Sequence, residues 1–165
     1  VLITPDDTTL LEPNYGLRYG DLFIKNNDTL SQYYIHEDLI KTIQLVGNIC
    51  KEVELNFKRK VRLNINSVVR SKAYNKKIGG VSDSEHLDPI GHAVDITFSY
   101  GRHNRYIIDK IYHDVKTQGL WFEALHRAGV RSYGFYPWGM HFGVRNRKHG
   151  KEYNGEKYAI WDKRK

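Results

Sequence analysis

An aspartate inside an apolar β-like run most constrains what this chain can become. Asp95 lies among Ala93, Val94, Ile96 and Phe98, and a carboxylate buried there without partners is costly. The fold must therefore bring compensating groups to it. Nine residues earlier stands His86, two residues after Ser84, in a loop punctuated by Gly79 and Gly80. A separate segment, Tyr136-Pro137-Trp138-Gly139-Met140-His141-Phe142-Gly143-Val144-Arg145, places a second histidine on a short strand. Two histidines and one aspartate on adjacent strands suit zinc with an open fourth position. His92, three residues before Asp95, is the alternative to His86 as a ligand.

The other histidines, His36, His103, His113, His126 and His149, read as non-ligands. A single cysteine, Cys50, excludes an intrachain disulfide framework and a multi-cysteine zinc finger. It falls on the apolar side of a predicted helix and reads as a buried free thiol. At 165 residues the chain is one domain, large enough for a core without covalent staples. No apolar run approaches the roughly 20 residues needed to span a bilayer. The formal charge of +7, from 26 Lys+Arg against 19 Asp+Glu, favours polyanions such as nucleic acid or the anionic polymers of a bacterial wall. The basic residues are dispersed, however, and name no partner. The sequence starts at Val1 with no signal-peptide pattern and is silent on export.

Residues 1–36 lack sustained periodicity and read as an irregular arm, with one strand-like run at Leu22, Phe23 and Ile24. The arm either packs over the domain or docks onto a larger assembly. From residue 37 to 165 the pattern is that of one domain. Leu39, Ile43, Val46, Cys50 and Val53 recur at helical spacing and predict a helix over 37–55, with Glu37 and Asp38 in its first turn. Val61, Leu63 and Ile65 alternate with polar residues as in a strand. Residues 70–89 read as a loop, followed by a strand over 93–98. Helices are expected over 104–118, with Gly119 as C-cap, and over 120–128. Strands follow near 131–135 and 140–144, and 158–161 reads as a last edge strand. This order is α+β: a single domain with an antiparallel sheet flanked by helices.

Ile65-Asn66-Ser67, Arg70-Ser71, Tyr74-Asn75, Gly79-Gly80, Ser84-Glu85-His86-Leu87 and Gly91-His92-Ala93-Val94-Asp95-Ile96 resemble the first motif of the zinc D-alanyl-D-alanine carboxypeptidase family, which includes L-alanyl-D-glutamate endopeptidases of phage lysis. The segment from Gly134 to Arg145 resembles its second motif. The resemblance spans roughly residues 37–145. It implies a hedgehog-type fold, zinc held by His86, Asp95 and His141, and a substrate peptide contacted by Arg70 and Ser84. The implied partner is a peptidoglycan stem peptide. The implied setting is extracytoplasmic, at the cell wall or on a phage virion.

The departures concern the catalytic base. The family commonly spaces its first histidine and aspartate by seven, whereas here the spacing is nine, and the longer loop contributes Asp88 and His92. Val68-Val69 replaces Gly-Tyr, and Gly143 stands where the second motif often has aspartate. Trp138 occupies the place, three residues before His141, where many members carry an acid. His92 and Asp88 rank first as replacement bases, ahead of Glu85. The leading reading is a zinc peptidase cutting stem peptides, as a carboxypeptidase or an endopeptidase. The alternative is a non-catalytic binding or virion structural protein that keeps zinc on the same fold. A basic metal nuclease would use the charge and residues 146–149, but it explains neither the Ser84/His86 flank nor the Tyr136 turn.

Overall fold

The computed structural model describes residues 1–23, 30, 32–87, 90–98 and 105–165. Eleven short strands are described: β1 (Leu2–Ile3), β2 (Leu10–Glu12), β3 (Leu17–Arg18), β4 (Tyr33–Ile35), β5 (Asn64–Ser67), β6 (Ile90–Gly91), β7 (Ala93–Thr97), β8 (Ser132–Phe135), β9 (Met140–Gly143), β10 (Lys151–Tyr153) and β11 (Glu156–Asp162). Four α-helices accompany them: α1 (Glu37–Phe57), α2 (Lys72–Lys77), α3 (Arg105–Lys116) and α4 (Leu120–Ala128).

Helix α1 begins where His36 Nδ1 accepts a hydrogen bond from the Asp38 amide at 3.1 Å, and it ends at Lys58 in the left-handed region. Its stripe of Leu39, Ile43, Val46, Cys50 and Val53 is fully buried, as the spacing predicts. Gly47 lies on the same helix, and a Cβ there would meet the carboxylate of Glu12 at 2.3 Å. Glu12 is itself buried, and its oxygens accept from the amides of Asn14 and Tyr15 at 2.8 and 2.9 Å. Residues 1–23 thus dock on α1 through a satisfied buried acid. Ile3, Leu11 and Leu22 join the same core.

The main sheet has six strands in the order β10-β11-β8-β9-β7-β5. It is not wholly antiparallel, because β11 pairs in parallel with β8. Asn154 and Gly155, both at positive φ (50° and 78°), close a tight hairpin between β10 and β11. That turn makes β10 the edge and brings β11 beside β8, so 158–161 is not the edge strand its sequence suggests. A second sheet, β1-β4-β6, ties the N-terminal segment to the strand that precedes β7.

Three further expectations differ. Gly119 is the N-cap of α4, and Gln118 (φ 53°) ends α3. The Asp114 carboxylate accepts from the Phe122 amide at 2.7 Å, and a Cβ at Gly119 would fall 2.0 Å from it. Helix α2, capped by Ser71 Oγ on the Tyr74 amide, forms within the stretch read as loop and is too short to show a period. Residues Tyr19–Leu22 form a 3-10 turn instead of starting a strand, held by the Asp21 carboxylate on the Arg18 amide at 2.7 Å. Ile24 lies outside the described residues. Among the described residues no helix is long and apolar enough to cross a membrane.

The two-residue period of the sheet separates core from site. Val94, Ile96, Tyr133, Phe135, Met140 and Phe142 are fully buried toward the helices. Tyr112 of α3 packs edge-on to Phe135, and Phe122 of α4 meets Tyr133 and Tyr158. The alternate residues face the other way. Cross-strand registers align Ser67, Asp95, His141, Gly134 and Trp161 in one row, and Ala93, Gly143, Ser132 and Ala159 in the next. That face is built from small residues around one histidine, one aspartate and one tryptophan.

Candidate metal centre

Asp95 and His141 are direct partners across β7 and β9, so their side chains leave the sheet on the same face. His141 Nδ1 lies 3.0 Å from Asp95 Oδ1. His86 approaches from the turn before β6. Ser84 Oγ accepts from the His86 amide at 3.2 Å, and the Arg70 amide bonds the His86 carbonyl at 2.5 Å. The His86 Nδ1 is 2.6 Å from the Val68 carbonyl. A carbonyl only accepts, which assigns the proton to Nδ1 and leaves a lone pair on Nε2. That Nε2 is buried without a hydrogen-bond donor and faces Asp95 Oδ1 at 3.2 Å. Two acceptors at that distance are bridged either by a second proton on the imidazole or by a metal cation. The three residues are 3%, 8% and 8% exposed for His86, Asp95 and His141, and their ligand atoms all lie within 4.8 Å of one another.

The surrounding charges reinforce the cluster. Burial opposes ionisation of Asp95, but His86 and the hydrogen bond from His141 outweigh it and hold the carboxyl well below the usual range. Burial likewise opposes the His141 imidazolium, yet hydrogen bonds to Asp95 and Glu85 raise its pKa in the metal-free protein. Arg70 stands behind Asp95. Its Nε donates to Ser67 Oγ at 3.1 Å, and its two terminal nitrogens donate to Asn75 Oδ1 at 3.2 Å and Asp95 Oδ2 at 3.3 Å. One carboxylate oxygen is thereby fixed by arginine and the other left to the cluster.

A family model described as Peptidase M15 matches residues 21–128. The chain belongs to that family. Neither a curated protein nor a solved structure matches it. The matched span of this M15 chain includes His86 and Asp95 and stops before His141, so the third member of the cluster is placed by sheet register. The donor set fits a metal such as zinc: two imidazole nitrogens and one carboxylate oxygen, with an orphaned buried lone pair aimed among them.

The cluster opens into a cavity of about 320 Å³. Tyr136, Trp138 and Trp161 form an aromatic side, and Arg70, Arg145 and Arg147 a cationic one. Trp138, in the place expected for an acid, stacks on Tyr136 with ring centroids 4.8 Å apart. Trp161 Nε1 donates to Tyr136 Oη at 2.7 Å, and its ring lies 5.1 Å from that of His141. Gly134 makes room for it, since a Cβ there would fall 2.5 Å from the indole nitrogen. A larger cavity of about 670 Å³, between residues 5–23 and β5, is lined by none of the three cluster residues.

The other site residues named from sequence fall as follows. Ser84 lines the cluster's cavity while bonding the His86 backbone. Arg70 also lines it, with every guanidinium nitrogen engaged within the protein. His92 lines a neighbouring cavity of about 250 Å³, which shares Asp83, Ser84, Glu85 and Arg145 with the first. The His92 ring lies 5.4 Å from that of His36, and burial, then His36, lowers its pKa. Asp88 lies outside the described residues. Glu85 is placed against His141 on the ring edge away from Asp95. Sequence reading missed Trp161, Ser132 and Asp83. The glycines at 134 and 143 were the signal for the first two, because each marks a place where another side chain crosses the strand.

Proposed function

We propose that this M15 chain is a zinc metallopeptidase that hydrolyses peptidoglycan stem peptides, on a hedgehog-type fold. The observation that carries the proposal is the buried His86–Asp95–His141 cluster, with the His86 Nε2 lone pair facing a carboxylate and no donor between them. Zinc held there would supply Lewis acidity, polarising an amide carbonyl and lowering the pKa of a water toward ~7. The protein's own groups do the rest. Arg70 and Val68 hold Asp95 and His86 in place. Arg145 and Arg147 at the cavity rim suit the carboxylates of a stem peptide, since guanidinium pairs well with carboxylate. The aromatic side offers an apolar wall against which a bound peptide can pack. The candidates for proton transfer are Asp83, which lines both cavities, His92, which lines the adjoining one, and Asp88, which lies outside the described residues. Asp83→Asn, His92→Ala and Asp88→Asn separate them: the true base loses ~100-fold or more in turnover with zinc still bound.

A second reading, a zinc-holding binding protein without catalysis, is favoured by Trp138 at the position expected for an acid. Incubation with purified peptidoglycan, followed by mass spectrometry of the released muropeptides, decides between them. The peptidase reading expects new peptide termini that disappear with chelator and return with zinc, and the masses identify the bond as terminal or internal. Zinc-loaded protein that leaves every wall type intact establishes the second reading.

A further inference from the structure

Glu85 is a buried acid whose place in the fold the cluster alone does not explain. One of its oxygens, Oε2, receives two hydrogen bonds: from His141 Nε2 at 2.9 Å and from Ser132 Oγ at 2.9 Å. The other, Oε1, faces Arg147 at 3.5 Å and Arg145 at 3.8 Å. The side chain reaches this point by crossing β9 over Gly143, where a Cβ would stand 2.2 Å from Oε2. Any other residue at 143 would compete for the same space. The opposite edge of the His141 ring presents Nδ1 to Asp95 Oδ1 at 3.0 Å.

We infer that Glu85 is a positioning residue that sets the tautomer and orientation of His141. Carboxylates face both ring nitrogens, so in the metal-free protein each edge of the His141 ring is held by an acceptor. A metal taken up beside Asp95 would displace the proton at Nδ1, and Glu85, which only accepts, would keep the remaining proton on Nε2 and the lone pair on Nδ1. Ser132 and the two arginines fix the carboxylate in turn, and a ligating imidazole held by a carboxylate in this way binds metal more tightly. Glu85 and Val68 then have parallel tasks. The Val68 carbonyl holds His86 by Nδ1 and frees Nε2, whereas Glu85 holds His141 by Nε2 and frees Nδ1. The inference rests on the metal-site reading of the preceding section.

The test measures zinc affinity by competition with a chromogenic chelator, together with the His141 tautomer from long-range proton–nitrogen NMR spectra. Proteins compared are wild type, Glu85→Gln, Glu85→Ala and Gly143→Ala, the last evicting the carboxylate without removing it. Wild type is expected to bind one zinc with the His141 proton on Nε2. Glu85→Ala should weaken zinc ~10–100-fold, Gly143→Ala should weaken it in the same direction, and Glu85→Gln should recover part of the loss through its amide oxygen. Unchanged zinc affinity in the variants, with only a lower melting temperature, would make Glu85 a structural acid and overturn the inference while sparing the metal site. A His141 proton on Nδ1 in zinc-loaded wild type overturns it directly, even if Glu85→Ala does not fold. Wild type that binds no zinc removes both the inference and the reading beneath it.

Discussion

Replacing Arg70 separates a group that holds the site together from one that grips substrate. Its three nitrogens bond Ser67, Asn75 and Asp95 at 3.1, 3.2 and 3.3 Å, and the side chains of Arg70 and Asp95 are only 15% and 12% exposed. Arg70→Lys keeps the charge but cannot reproduce the fork. Losing two hydrogen bonds at roughly 1 kcal/mol each, and weakening the third, costs about 2–3 kcal/mol. Arg70→Met removes the cation on Asp95 Oδ2 and leaves only the histidine partners on Oδ1, a loss of up to about 3–5 kcal/mol for a broken buried pair. At roughly 2–4 °C per kcal/mol for a chain of this size, the lysine variant should melt ~4–12 °C below wild type and the methionine variant lower still. Melting is followed by circular dichroism with chelator present, so that zinc cannot supply the missing cation. If both variants melt with wild type while KM for a stem peptide rises, Arg70 binds substrate and its structural role is refuted.

Two more outcomes follow from packing. Gly134→Ala forces the Trp161 indole off its seat, since the added Cβ would lie 2.5 Å from its nitrogen; we expect a loss of about 1–3 kcal/mol and a shift in tryptophan emission, and wild-type emission and melting would contradict the arrangement. Cys50 is fully buried, and burial pushes its thiol pKa up strongly; it should resist a disulfide reagent in native buffer and react stoichiometrically in denaturant, and rapid native reaction would contradict the core described for α1.

The sequence made the three longer helices and the cluster legible for different reasons, while the short α2 passed as loop. Helix α1 was readable because its apolar stripe repeats over many turns. Asp95 and His141 were readable because each interrupts an apolar strand with a group that needs a partner. The parallel placement of β11 was not, since strand direction depends on the Asn154-Gly155 hairpin and on a pairing with β8 that the short run 158–161 does not encode. Arg70 was named as a substrate contact by the resemblance alone, and its acidic partner is not encoded nearby: the structure places its guanidinium against Ser67, Asn75 and Asp95 while it lines the cluster's cavity. Glu85 was hidden for a similar reason: its partners, Ser132 and His141, are 47 and 56 residues away.

Zinc content per chain, measured by elemental analysis after gel filtration, tests the central claim most directly. The His86–Asp95–His141 cluster predicts about one zinc in wild type and none retained by His86→Ala or His141→Ala, because two protein ligands hold zinc poorly. Both variants should keep the wild-type circular dichroism spectrum. Stoichiometric zinc persisting in the two variants, or folded wild type that takes up none, would contradict the claim.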